Sequence, residues 1–120
     1  MTLEHKKNIF VELGKFLSQF SENESTRSEN VLHNDLFFND FLDLIQLSQS
    51  HNGWYTPEQV FFAVNSWAEA LTKENLDQWL SGYDLATIET RTVGLILAGN
   101  IPLVDFTIFY PYLFPDIRFW

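Results

Sequence analysis

At 120 residues and a net charge of −9, the chain has room for one domain with a single core and too little for two comfortable ones. Hydrophobic residues make up 46% of it, which excludes a disordered composition. With no cysteine, disulfides, thiolate metal sites and a cysteine nucleophile are excluded within this chain.

The acids are concentrated: residues 31–90 carry nine of them against Lys73 alone. An acidic middle with no basic stripe repels phosphate, so nucleic-acid binding is not expected. The opening MTLEHKKNIFVELGKF scatters charges among its apolar positions and does not read as a signal peptide, so a cytoplasmic location is the default expectation.

In chain order, Ile9, Phe10, Leu13, Phe16, Leu17 and Phe20 form an apolar stripe with a period near 3.6, predicting a helix. SENESTRSEN (Ser21–Asn30) has no apolar residue and reads as a solvated linker. A second helical stripe follows at Leu36, Phe37, Phe41, Leu44 and Ile45, with Leu47 and Ser48 near its end. HNGW (His51–Trp54) closes it, with Asn52 or Gly53 suited to a left-handed C-terminal position.

Thr56-Pro57-Glu58-Gln59 is the clearest start signal. Thr56 can cap, Pro57 suits the first helical position, and Gln59 stands where a capping-box partner belongs. Val60, Val64, Trp67 and Leu71 then share one face. Thr72-Lys73-Glu74-Asn75 starts a short helix with Leu76, Trp79 and Leu80 inward and Gly82 ending it. Residues 1–82 therefore read as a mainly α, four-segment assembly whose stripes are core.

After residue 91 the period changes. Thr92–Ala98 (TVGLILA) is a continuous apolar run with β-branched residues, the pattern of a strand buried on both faces in a parallel sheet. Such a strand needs neighbours, and the remaining residues show none, so the fold reads as incomplete. Gly99, Asn100, Pro102, Asp105 and Pro111 break up Val93–Phe114 too often for a membrane-spanning helix.

Few residues offer chemistry. His5, His33 and His51 are widely spaced and share no metal-ligand pattern. Asp40 with Asp43, and Glu74 with Asp77, stand at helical spacings that usually mean a solvated face rather than an acid–base pair. No serine elbow, P-loop or glycine-rich dinucleotide fingerprint is present. The segment AGNIPL (Ala98–Leu103) follows the strand, where open parallel sheets gather ligands. Gly99 permits close backbone approach, Pro102 fixes the turn, and Asn100 offers a side-chain donor suited to a developing oxyanion. A polar turn leaving a strand is the plainer reading of the same residues.

NGWYTPEQV, SWAEALTKENLDQWL and VGLILAGNIPLV, in that order, carry a resemblance. Roughly residues 1–104, most clearly after Leu32, are similar to the N-terminal part of bacterial luminescence-type fatty acyl-CoA reductases, a branch of the aldehyde dehydrogenase superfamily. The resemblance implies a helical N-terminal region at 1–91 and, at 92–104, the first strand and loop of an incomplete Rossmann-like domain. It implies reduction of a fatty acyl-CoA to an aldehyde through a cysteine thioester, with a hydride from NADPH. Asn100 matches the position that donates to the thioester oxyanion, and Ala98 and Gly99 match positions near the nicotinamide. This chain lacks the cysteine and most of the cofactor domain, so it is expected neither to bind NADPH tightly nor to turn over.

From Asp105 the likeness stops, where the family continues as GFHD, a hydrophobic helix and SGHKVL. Back-translated and read one nucleotide earlier, DFTIFYPYLFPDIRFW permits GFHDFLSVLISGHKVL throughout. Residues 105–120 are thus expected to be an irregular, out-of-frame tail. The rival expectation is a complete, small, acidic helical interaction protein whose aromatic C-terminal segment docks on a partner or a membrane surface.

Overall fold

The computed structural model describes residues 2–85, 92–93, 100, 102–103 and 118–119. The described part is mainly helical: α1 (Leu3–Leu17), α2 (Asn34–His51), α3 (Pro57–Ala70) and α4 (Lys73–Leu80). Thr2, Thr56 and Thr72 cap three of these helices, accepting hydrogen bonds from the backbone N–H of His5, Gln59 and Asn75 at 3.2, 3.4 and 3.3 Å. Each satisfies one of the donors a helix start leaves unpaired. Pro57 stands at the first position of α3. The cap at Thr2 also explains why α1 begins six residues ahead of its apolar stripe.

α2 departs from this pattern at both ends. It opens on His33 in a left-handed conformation (φ 63°) without a side-chain cap. It closes on Asn52 with extended backbone (φ −145°), and none of the described glycines has positive φ. The left-handed stop expected at Asn52 or Gly53 is therefore not used. Instead the Asn52 side-chain oxygen accepts from Trp54 N–H at 3.1 Å, and its carbonyl accepts from Tyr55 N–H at 2.9 Å. A side-chain turn of this kind reverses the chain without a left-handed residue.

The core lies where α1, α3 and α4 meet and extends to one side of α2. Phe10, Leu17, Phe20, Phe38, Ile45, Val60, Val64, Leu71, Leu76 and Leu80 are buried. α3 presents Val60, Val64 and Leu71 as its periodicity predicts, with Trp67 half-buried. Gly14 sets the distance between α1 and α3. A Cβ there would lie 2.8 Å from both the Cβ and the backbone oxygen of Leu71, closer than carbon atoms tolerate. Glycine in a helix interior costs about 1 kcal/mol relative to alanine, and here it admits a crossing that no larger residue allows.

Phe20 stands just beyond α1 and is fully buried. Its ring lies 4.9 Å from those of both Phe38 and Phe41, stacked on the first and edge-on to the second, and 5.2 Å from Phe16. Burial of one such ring contributes about 1.5–3 kcal/mol. These rings hold the end of α1 against α2.

The linker is not simply solvated. The side chains of Gln19 and Asn34, both buried, exchange amide hydrogen bonds of 2.8 and 2.7 Å. Gln19 Nε2 also donates to the Phe16 carbonyl, its Oε1 accepts from Ser28 N–H, and Asn34 Nδ2 donates to the Ser28 carbonyl. Gln19 thus satisfies both donors and both acceptor sites, which is what a buried amide requires. The apolar-free stretch is stapled at Ser28 to the start of α2 and the end of α1.

Thr92–Val93 pair in parallel with Arg118–Phe119, Thr92 opposite Arg118 and Val93 opposite Phe119. The tail was expected to be irregular throughout and the strand to lack a neighbour; at these residues both expectations are corrected. A parallel partner needs a crossover of about a dozen residues or more, and the chain between Val93 and Arg118 exceeds that. Two residues in each strand do not make a cofactor-binding sheet. The rest of the expected strand, 94–98, lies outside the described residues, as do 105–117 and 120 of the tail. No helix among the described residues is long and apolar enough to cross a membrane.

Two substitutions test these contacts. Gly14→Ala should lower stability by about 1 kcal/mol or more, because overpacking of about 1–3 kcal/mol exceeds the gain in helix propensity. Gln19→Ala should cost about 1–3 kcal/mol by leaving Asn34 buried with lost partners. Urea-denaturation midpoints measure both. An unchanged midpoint for Gly14→Ala would mean that α1 and α3 are not in close contact.

Candidate functional site

Asn100 is exposed on a turn. Pro102 and Leu103 continue the turn, both half-buried. Leu103 has φ 57°, a left-handed conformation that costs a side-chain-bearing residue about 1–2 kcal/mol. Its side chain packs against the helical core, so the loop bearing Asn100 is moored to the helices. Ala98 and Gly99 lie outside the described residues. An exposed amide donor is what this position offers.

The described surface that stands out lies elsewhere, between α1 and α2. A trough enclosing about 800 Å³ is lined by residues between His5 and Leu17 of α1, by Leu32 and His33 just ahead of α2, and by Phe37, Asp40, Phe41 and Leu44 of α2. Leu13, Phe16, Leu17 and Phe41 are buried or half-buried in it. Ile9 at 46%, Leu32 at 57%, Phe37 at 54% and Leu44 at 65% remain exposed. Ile9, Phe37 and Leu44 belong to stripes that read as core in the sequence, and that expectation is corrected for them. The reason is geometric. α2 carries Leu36, Phe37, Phe38, Phe41, Leu42, Leu44, Ile45 and Leu47, which surround more of the helix than one packing face can cover. Phe38 and Ile45 are buried, whereas Leu36, Phe37, Leu44 and Leu47 are not. The width of that set was the available signal.

The histidines are not brought together as a site. His5 and His33 both line the trough, where the His33 ring meets Phe37 edge-on at 6.3 Å; His51 ends α2. Among the described residues no group of three His, Cys, Asp or Glu side chains is placed to hold a metal ion.

Asp77 is tied into an ion-pair network between α1 and α4. Lys7 Nζ donates to Asp77 at 2.6 Å and pairs with Glu4 at 2.7 Å, while Lys73 reaches the other Asp77 oxygen at 2.5 Å. The hydrogen bonds from Lys7 and then Lys73 hold the Asp77 carboxyl below its ordinary value of 3.8. Hydrogen bonding to Asp77, first in order, raises both lysines above 10.5. Glu74 takes no part in it. This arrangement ties the short helix α4 to α1.

Comparison with known protein families, with characterised proteins and with solved structures finds no match to this chain.

The network gives a pH dependence of known sign. A lowered carboxyl contributes stability that is complete above pH 3.8 and is lost as pH falls through its lower folded value. Raised lysines contribute stability that is complete below pH 10.5 and is lost as pH rises through their higher folded values. Asp77→Asn should therefore remove part of the acid limb of the stability profile, and its effect should shrink with added salt because the groups are near the surface. Thermal melts across pH at two ionic strengths measure this; an acid limb identical to that of the parent would exclude the network.

Proposed function

We propose that residues 1–104 are the N-terminal helical region and the first cofactor-domain strand and loop of a fatty acyl-CoA reductase, followed by an out-of-frame tail at 105–120. The observation that carries this reading is the ordered likeness of NGWYTPEQV, SWAEALTKENLDQWL and VGLILAGNIPLV. The first two coincide with the α2–α3 turn and with α3–α4. They are segments in which threonine caps and a buried face leave little freedom of sequence. The third begins at Val93 and contains Asn100.

In the reaction the family carries out, a cysteine thioester of the fatty acid accepts a hydride from NADPH and releases the aldehyde. Asn100 is the residue of this chain with a part in it. An amide N–H₂ within hydrogen-bond reach of the thioester oxygen stabilises the negative charge that develops there. Its exposure on a turn suits that role. The described residues do not form a cradle for a dinucleotide, so no further step is assigned to this chain. Ala98 and Gly99 would stand beside the nicotinamide in a longer polypeptide.

The open trough favours a second reading, that of a small acidic helical interaction protein with an aromatic C-terminal docking segment. The two readings separate in solution. The full chain behaving as a cooperatively unfolding monomer favours the interaction protein, and aggregation relieved by deleting Asp105–Trp120 favours the reductase fragment.

The chain by itself is expected to show no NADPH-dependent reduction of long-chain acyl-CoA. Codons 105–120 read one nucleotide earlier are expected to encode a GFHD-like string running to HKVL. A stop codon in that frame would falsify the proposal for the tail, and measurable reduction by the 120-residue chain would overturn the proposal of inactivity.

A further inference from the structure

We propose that the trough between α1 and α2 is the docking site of an amphipathic helix of about three turns that carries Lys or Arg beside its apolar stripe. The inference is independent of the enzymatic reading. α3 packs on both α1 and α2, yet no residue of α3 lines the trough, so the trough opens on the side of the pair that α3 leaves bare. Helices packed in this way bury their remaining apolar sides when one more helix lies along the groove, as in a four-helix bundle.

The dimensions agree. The lining runs from His5 to Leu17 on one wall and from His33 to Leu44 on the other. At 1.5 Å per residue each wall is roughly 16–18 Å long, the length of about three helical turns. Ile9, Phe37 and Leu44 rise on the two sides and remain about half exposed or more. The site is therefore an open trough, and an acyl chain or other small apolar ligand would leave much of itself in water, where such ligands require about 70–90% burial. A helix covers a trough from above with residues spaced i, i+3, i+4 and i+7.

Charge selects the kind of helix. The charged residues of the lining are Glu12 and Asp40, with no Lys or Arg. Glu12 is shared with Lys15, whereas Asp40, and Asp43 one turn further on, have no ion-pair partner among the described residues. Basic residues flanking the apolar stripe of an incoming helix would meet these acids. A second copy of this chain would set the same acids against themselves in a two-fold interface, and like charges opposed across an interface are unfavourable.

The test uses the full chain and a fluorescein-labelled helical peptide of about four turns with a leucine stripe flanked by lysine, beside a counterpart flanked by glutamate. Fluorescence polarisation should show the lysine peptide binding at least tenfold more tightly, with an affinity that falls as salt is added. Phe37→Asp should weaken binding at least tenfold, and Leu44→Asp provides a second exposed site should the first variant fail to fold, as judged by circular dichroism. Glu12→Lys combined with Asp40→Lys should transfer the preference to the glutamate peptide. Equal binding of the two peptides overturns the proposal, as does full affinity in a folded Phe37→Asp or Leu44→Asp variant. Sedimentation showing a dimer that Phe37→Asp dissociates also overturns it, in favour of a second copy. Displacement of the lysine peptide by a fatty acid with no effect from the double charge reversal overturns it in favour of an acyl ligand.

Discussion

The packing of this molecule depends on an absent side chain. At Gly14 the backbone of α1 comes so close to Leu71 that one methyl group would meet both a side-chain carbon and a carbonyl oxygen at 2.8 Å. A carbonyl oxygen at the end of α3 cannot rotate away as a long side chain could. The approach brings Phe10 and Leu17 of α1 into the same core as Val64 and Leu71, all of them buried. Dispersion and desolvation over those surfaces reward close packing in small increments per contact, and their sum outweighs the intrinsic penalty of a glycine in the helix. α4 then docks across the same helix through Leu76, Leu80 and the Lys7–Asp77 ion pair.

From that crossing the treatment of α2 follows. α1 contributes its buried stripe to α3, and α2 is held to α1 chiefly at the end, by the phenylalanine cluster around Phe20 and by the Gln19–Asn34 amide pair. The two devices differ in kind. Ring packing is apolar and tolerant of angle, whereas two amides exchanging paired hydrogen bonds have a defined geometry. Together they fix where α2 starts, and the strained His33 that precedes Asn34 is a local consequence. Farther along, the walls of α1 and α2 stand apart and the trough opens between them.

The two places for which a function is proposed are therefore built differently. Asn100 sits on a turn near Leu103, which packs against the helices, and it presents one exposed amide side chain. The trough is made of helices whose positions are set by the core, so its walls are as rigid as the packing beneath them. A recognition surface of this sort needs no catalytic residue. Its selectivity arises from length, apolar spacing and the sign of charge at its rim.

Much of this was legible from the order of residues. Threonine caps, a proline at the first helical position and a 3.6-residue period are local devices, so Thr56-Pro57 and Thr72 announced α3 and α4, and Val60, Val64 and Leu71 announced a buried face. The Asn100 loop stood out by its place after an apolar run, and its role remains one that the resemblance implies. What the chain order could not express was distance between segments. Gly14 is unremarkable until Leu71 is placed against it, and Gln19 and Asn34 are ordinary polar residues flanking a polar linker until they face one another. The apolar residues of α2 likewise show no preference among themselves. Periodicity alone determined that α2 is a helix with apolar sides. The tertiary packing decided which side is core and which is trough, because a helix buries only the face its neighbours reach.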